Sequence, residues 1–347
     1  MNVNYKVLGV MSGTSLDGID LVISTFTKKE KWLFSINKAK TIKYSNYWIQ
    51  TLSELHKKNN NIIEKINKEY GKFLAKKINT FLNNQKIDFI ASHGHTIFHQ
   101  PEKKYTLQIG DGKTIAKLTQ TKTINNFRNL DIKLNGQGAP LVPIGDLHLF
   151  PDYKYCVNLG GFANISIKKK EKIIAYDICP VNIVMNKICK HLNIEFDISG
   201  NIAKKGKIII NLLNSLNNLS YYQKKYPKSL SREWVEEFIY PLFKENYKTE
   251  DILNTFCEHI GMQIGSVLND KVAIFTGGGV FNKYLMSRIL KYSKSKIFIP
   301  KKEIVNFKEA LIFAFLAVLK TKNEINCLKS VTGAKKDSCV GEINNPL

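Results

Sequence analysis

The sequence predicts an α/β protein of two domains, and three observations carry that prediction. Short apolar strands alternate with helical segments along most of the chain. Two regions, one at the N-terminus and one beginning near Tyr155, each open as strand, glycine turn and strand, a pattern consistent with internal duplication. At 347 residues the chain is long for one hydrophobic core, so residues 1–150 and 151–347 are expected as two domains with a cleft between them.

The first element is a hairpin, GVMSGTSLDGID, from Gly9 to Asp20. An apolar lead-in (Tyr5, Val7, Leu8, Val10) breaks into small residues and returns through Asp17, Gly18 and Asp20 to Leu21–Ile23. Such a tip lets backbone N–H groups and two hydroxyls approach a triphosphate, while two carboxylates can organise Mg²⁺ or water. An ordinary tight hairpin fits the same residues. It is no Walker A loop, because no Gly-Lys-Ser/Thr follows. Trp32–Ile42 reads as a further strand, and Tyr47–Leu82 has helical apolar spacing. Ile87–Ala91 is a short strand ending in a polar loop, followed by TLQIGDG (Thr106–Gly112) and a helical Lys113–Leu118. The second region runs CVNLGGFANISI, then Ile173–Tyr176 and Asp177. Asn211–Lys228 is polar and helical or loop-like, and Asp251–Leu268 reads as helix. Val272–Asn282 is a buried strand running into three glycines and a helix, and Ala310–Leu319 is a strongly apolar helix.

The formal charge of +23 invites a nucleic-acid partner, but only Arg128, Arg232 and Arg288 of the 52 basic residues are arginine. The lysines are spread among abundant Asn and Ile, which describes a solvated surface and no specific nucleic-acid site. Six cysteines (Cys156, Cys179, Cys189, Cys257, Cys327, Cys339) show no C-x-x-C spacing, as expected of reduced thiols in the cytoplasm. No signal peptide or bilayer-spanning run is read, so no membrane role is expected.

Three glycine turns stand in order: Gly13 to Gly18, Gly160–Gly161 and Gly277–Gly279, with Asp17, Asn164 and Asn282 as polar companions. In a nucleotide enzyme the first two can grip phosphates, and the third can admit adenosine against backbone. His93, His95 and His99 invite a metal reading, and the alternate spacing of His93 and His95 can place both on one face of an extended segment, but no Cys or carboxylate close by in sequence completes a zinc site, and no metal ligand is assigned.

Taken together, MSGTSLDGID, SHGHTIFHQP, TLQIGDG, FRNLDIKLNGQGAPLVP, VNLGGFANIS, FDISGNIAKKG, PKSLSRE, TGGGVFN, KEALIFAFLA and SVTGA resemble the anhydro-N-acetylmuramic acid kinase family in order over nearly the whole chain. The resemblance implies the two-domain fold of actin, hexokinase and Hsp70 ATPases, a homodimer, and ATP with Mg²⁺ as cofactors. It further implies water-dependent opening of the 1,6-anhydro bond and phosphorylation at O6, giving N-acetylmuramic acid 6-phosphate. Asp177 matches the family's catalytic aspartate, a base for the attacking water. A helix N-cap ahead of Pro180 is the alternative use of that residue. Gly13, Thr14, Ser15, Leu16, Asp17, Gly18, Ile19 and Asp20 carry over as the first phosphate site, Gly160, Gly161 and Asn164 as the second, and Gly277, Gly278, Gly279 and Asn282 as the adenosine side. Thr96, Arg128, Asn182 and Glu309 are assigned to the sugar, whose lactyl carboxylate a guanidinium can bind. A structural Arg128 paired with Asp131 or Asp111 remains open.

The chain departs from the family pattern at several positions. DICPVN (Asp177–Asn182) stands where Asp-Thr-Gly-Pro-Gly-Asn is usual, so Cys179 and Val181 replace glycines and are expected to strain the loop or narrow the pocket. Asn186 and Asn126 replace aspartates, His95 replaces glutamine, and Leu230-Ser231 replaces Thr-Gly. These changes gather on the sugar side and leave two further readings: a non-catalytic nucleotide sensor, or a kinase for another sugar.

Overall fold

The computed structural model describes residues 3–13, 16–170 and 172–346. Its strands are, in chain order, β1 (Asn4–Ser12), β2 (Ile19–Lys28), β3 (Trp32–Ile42), β4 (Phe89–Ser92), β5 (His95–Gln100), β6 (Tyr105–Ile109), β7 (Thr123–Asn125), β8 (Tyr155–Leu159), β9 (Phe162–Lys168), β10 (Ile173–Pro180), β11 (Ala273–Thr276), β12 (Ile297–Phe298) and β13 (Glu342–Asn344). The chain divides into two compact units, Met1–Leu149 with Phe307–Leu347, and Phe150–Asn306.

The first unit holds a six-stranded sheet in the order β13-β7-β4-β1-β2-β3. β1, β2 and β3 form an antiparallel meander, and β4 and β7 continue the sheet in parallel from β1. The second unit repeats this arrangement as β10-β9-β8-β11-β12, with an antiparallel β8, β9, β10 meander and parallel β11 and β12. In each unit the order is therefore third, second, first, fourth, fifth, with β13 added as a sixth strand at the edge of the first. This common topology is the structural counterpart of the repeated strand-turn-strand pattern.

The last residues of the chain return to the first unit, which corrects the expected contiguous split at residue 150. The reason lies in β1, which is covered on both faces. Leu8 and Val10 join a core with Tyr70, Leu74 and Ile78 of the helix Asn60–Leu82. On the opposite face a Cβ at Gly9 would stand 2.1 Å from the Ala310 carbonyl oxygen, so glycine is what admits the helix Lys302–Thr321 at this point. Phe315 packs on Phe26 and Trp32, at centroid distances of 5.5 and 5.2 Å. Every residue from Ala310 to Leu319 is buried, as an all-round apolar helix requires. β13 then pairs antiparallel with β7.

Two local expectations also change. The helix read over Tyr47–Leu82 is interrupted: Asn46–Glu54 ends in a 3₁₀ turn at Leu55–Lys57, and Asn59 caps a new helix by accepting the Ile62 N–H at 3.0 Å. The polar loop after β4 contains β5, which forms a two-stranded hairpin with β6. In the second unit the helix Thr249–Gly265 packs closely on Lys283–Tyr292; a Cβ at Gly261 or Gly265 would come within 2.8 or 2.4 Å of Arg288 or Tyr292. Among the described residues no helix is long and apolar enough to cross a membrane.

Candidate functional site

In the second unit, four of the predicted features converge around the end of β8. The Gly160–Gly161 turn joins β8 to β9, and its carbonyls receive the first N–H groups of the next helix: Val181 donates to Gly161 at 2.8 Å and Asn182 to Gly160 at 3.2 Å. The Asn182 amide also donates to the Leu159 carbonyl at 3.2 Å. The third glycine bend leans on the same residue. Gly277 has φ +83°, and a Cβ there would lie 2.7 Å from the Leu159 carbonyl oxygen; at Gly279 it would lie 2.7 Å from Leu159 Cβ. At Gly278 a Cβ would meet nothing within 4 Å, and that glycine is exposed. Asn282 caps the helix Lys283–Tyr292 by accepting the Leu285 N–H at 2.9 Å, so its carbonyl oxygen already has a structural task.

Asp177 lies on β10 opposite Asn164 of β9, just before a bulge between Asp177 and Cys179. It is half-buried, and Asn164 is exposed. The helix that follows Pro180 has Val181 at its N-cap, so the capping use of Asp177 is ruled out. Burial raises the Asp177 carboxyl above the ordinary aspartate range, and the Leu230 N–H, donated to Oδ2 at 2.9 Å, works against that rise. A half-buried carboxylate with raised basicity suits proton abstraction from water. Cys179 and Val181 are both fully buried in the core of this unit, and Val181 has a negative φ of −132°. Their side chains fill core volume. Leu230 and Ser231 have local roles too: Leu230 supplies the N–H just described, and Ser231 caps the helix Arg232–Phe238.

In the first unit, Gly13 follows β1 directly and Ile19 and Asp20 open β2, while Thr14 and Ser15 lie outside the described residues. Leu16 has φ +61° and donates its N–H to the Gly13 carbonyl at 3.5 Å. A Cβ at Gly18 would stand 2.5 Å from the Ile42 carbonyl oxygen. Ile19 is fully buried in the core, so only its backbone is available to a ligand. Asp20 accepts the Thr41 hydroxyl at 2.6 Å; burial raises its carboxyl, as does the charge of Asp17. Beneath the turn, the Ser12 hydroxyl meets the Tyr44 hydroxyl at 2.6 Å and His95 Nδ1 at 3.0 Å, and Tyr44 meets Tyr70 at 2.5 Å. Sequence reasoning gave no warning of this buried chain. Burial lowers His95 to about 4. Leu16, Leu52, His56, His95 and Thr96 line a cleft of about 260 Å³, which places Thr96 beside the turn.

Arg128 takes a partner that the sequence reading did not name. Its Nε and Nη2 donate to His93 Nε2 at 3.1 and 2.8 Å, and Nη1 donates to the Gly138 carbonyl at 2.7 Å. His93 Nδ1 donates to the Gly94 carbonyl at 2.9 Å, which leaves Nε2 as the acceptor and makes the imidazole neutral. Both ring nitrogens are thus engaged within the protein. The expected pairing with Asp131 or Asp111 is absent: Asp131 receives the Gly138 N–H and the Thr332 hydroxyl, each at 2.8 Å, and Asp111 caps the helix Gly112–Thr119. Three of the five guanidinium N–H groups are used in this way. Burial lowers the Arg128 pKa, and the charge of exposed Glu309 pulls it back up. Asn126, at φ +56°, donates to Glu342 at 2.7 Å; an asparagine suits that left-handed position.

A repeated α/β sheet of this order, with glycine bends where strands end, is the architecture of the actin, hexokinase and Hsp70 fold class. The family model described as anhydro-N-acetylmuramic acid kinase matches residues 5–346. The chain is 34% identical to the anhydro-N-acetylmuramic acid kinase of Bacillus cereus (strain Q1), covering 98% of this chain and 99% of that protein. It is also 34% identical, with the same coverage, to the one from Francisella tularensis subsp. novicida (strain U112). The chain belongs to the anhydro-N-acetylmuramic acid kinase family. Among solved structures, a ROK family glucokinase from Streptomyces griseus in complex with glucose and AMPPNP aligns at 8% identity over 91% of this chain and 99% of that one, with a TM-score of 0.39. Component A of the Acidaminococcus fermentans (R)-2-hydroxyglutaryl-CoA dehydratase aligns at 13% identity over 89% and 96%, with a TM-score of 0.44. Neither likeness adds to the strand order.

Proposed function

We propose that the chain uses ATP and water to convert 1,6-anhydro-N-acetylmuramic acid into N-acetylmuramic acid 6-phosphate. Water attacks the anomeric carbon while Asp177 takes its proton; the bond from that carbon to the bridging oxygen breaks, and O6 receives the γ-phosphoryl group as ADP leaves. The observation that supports this most is the placement of Asp177 opposite Asn164, on the strand that follows the Gly160–Gly161 turn, with burial raising its carboxyl. Gly160, Gly161 and Asn164 take phosphate in this reading, as do Gly13 and residues 16–20 of the first unit. Gly277–Gly279 and Asn282 take adenosine. Thr96, Arg128, Asn182 and Glu309 bind the sugar, the two remaining guanidinium donors of Arg128 suiting its carboxylate.

Asp17 and Asp20 would hold Mg²⁺: the charge of Asp17 raises the Asp20 carboxyl, a repulsion that a divalent cation relieves. The ion supplies charge neutralisation at phosphate oxygens when bound. A cytoplasmic homodimer completes the reading. The test is ADP release with the anhydro sugar, N-acetylmuramic acid and glucose, repeated for Asp177→Asn. Preference for the anhydro sugar, with turnover lost and ATP binding kept in the variant, is expected. Preference for glucose, or turnover unchanged in the variant, overturns the proposal.

A further inference from the structure

β10 is an edge strand, so one side of its backbone has no strand partner. At Asp177 that side is occupied by the segment from Tyr221 to Leu230. The Asp177 N–H donates to the Lys228 carbonyl at 3.3 Å, the Tyr221 hydroxyl donates to the Asp177 carbonyl at 2.6 Å, and the Leu230 N–H donates to Oδ2 at 2.9 Å. Oδ1 receives no hydrogen bond from the described residues.

Resting on the reading of Asp177 as the base, we infer that the segment Tyr221–Leu230 is a positioning strap for that carboxylate, which occupies Oδ2 and leaves Oδ1 as the oxygen that takes the proton from water. Two bonds fix the backbone of Asp177 and the third fixes the rotation of its carboxyl group. A strap that merely closed the sheet edge would need the first two alone.

The strap is itself braced. The Lys228 ammonium donates to the Tyr221 carbonyl at 3.3 Å and lies over the Tyr221 and Tyr176 rings, 4.6 and 5.7 Å from their centroids. The Tyr221 ring packs on Trp234 at 5.3 Å and on Tyr222 at 5.7 Å. Tyr222 in turn donates its hydroxyl to His259 Nε2 at 2.9 Å, while His259 Nδ1 donates to Asn217 Oδ1 at 2.7 Å. Burial keeps His259 neutral, lowering it to about 3, and so preserves this pattern of donors. Tyr221 is therefore held from the ring face and from the chain side, as a residue that aims another must be.

The groups whose charge state bears on Asp177 are few. Cys179 on β10 and Tyr221 on the strap sense its charge, and both are pushed up by burial, so neither ionises near neutrality. The Lys228 ammonium, lowered by burial, faces Cys179. Asp177 then sets the acid limb of turnover, and the Leu230 N–H holds that limb down because it stabilises the ionised form.

Tyr221→Phe removes one oxygen and no packing volume. It is expected to lower kcat about tenfold, the weight of one ordinary hydrogen bond, with KM for ATP unchanged. Leu230→Pro removes the N–H on Oδ2 and is expected to move the acid limb of kcat to higher pH. Wild-type kcat in Tyr221→Phe, or an unmoved limb in a folded Leu230→Pro, overturns the strap. If Leu230→Pro does not fold, kcat of Tyr221→Phe decides alone. Asp177→Asn keeps the two ideas separate: an active Asp177→Asn sinks the base reading, whereas an inactive one beside wild-type strap variants sinks the strap only.

Discussion

Gly277 and Gly278 are neighbours in one bend, and the structure gives them opposite kinds of importance. Gly277 sits at φ +83° and ψ 158°, a region that essentially only glycine occupies. Placing alanine there costs about 1–3 kcal/mol in backbone conformation. The new Cβ would also lie 2.7 Å from the carbonyl carbon and oxygen of Leu159, a backbone that cannot rotate aside. Overpacking of this kind adds about 1–3 kcal/mol. Gly277→Ala should therefore lose about 2–6 kcal/mol, at about 2–4 °C of melting temperature per kcal/mol in a domain of this size. At Gly278 a Cβ meets nothing within 4 Å, so Gly278→Ala should leave stability within about 0.5 kcal/mol of wild type. If adenosine lies against this bend, the same methyl group occupies its space and weakens ATP binding. Thermal melts and ATP titration calorimetry of the two variants form the assay. A Gly277→Ala protein that melts like wild type refutes the steric argument, and a Gly278→Ala protein that binds ATP like wild type refutes the adenosine assignment.

Acid should destabilise the fold through its buried histidines. Burial depresses His95 to about 4 and His259 to about 3, so the unfolded chain binds protons first as pH falls below about 6.5, and stability present above that value is lost on the way down to 4 and 3. His95 alone accounts for about 3 kcal/mol on this argument; urea melts at about pH 7 and about pH 5 should differ, and His95→Gln should shrink the difference, an equal difference counting against it. Gly9→Ala puts a Cβ 2.1 Å from the Ala310 carbonyl oxygen and should cost about 1–3 kcal/mol or more as the helix is pushed off β1, which a melt coinciding with wild type would exclude.

Much of the architecture could be read from local pattern because strands bury residues by local rules. β3 spans Trp32–Ile42, the bounds read from the sequence, and the strand-turn-strand of β8 and β9 follows directly from apolar runs around Gly160–Gly161. The break in the helix read over Tyr47–Leu82 had a signal, the run of asparagines at Asn59–Asn61, of which Asn59 proves to be the cap. It was hidden because apolar spacing continues across it. β5 gave a weaker signal, since its partner β6 supplies the hydrogen bonds that make a polar segment extended.

The parts of the site that pattern could not supply share a different cause. Arg128 lies 35 residues from His93, and Tyr221 lies 44 from Asp177. Charge matches a guanidinium to a carboxylate, as in the expected pairs with Asp131 and Asp111, yet a buried neutral imidazole accepts its N–H groups once its own proton is fixed on Nδ1 by the Gly94 carbonyl. Residue type limits which bonds are possible; topology chooses among them. The same argument applies to Asp177. It is legible as a carboxylate after a glycine turn, but which of its two oxygens is already hydrogen-bonded is decided by the Leu230 N–H, and a backbone N–H has no signature in the sequence at all.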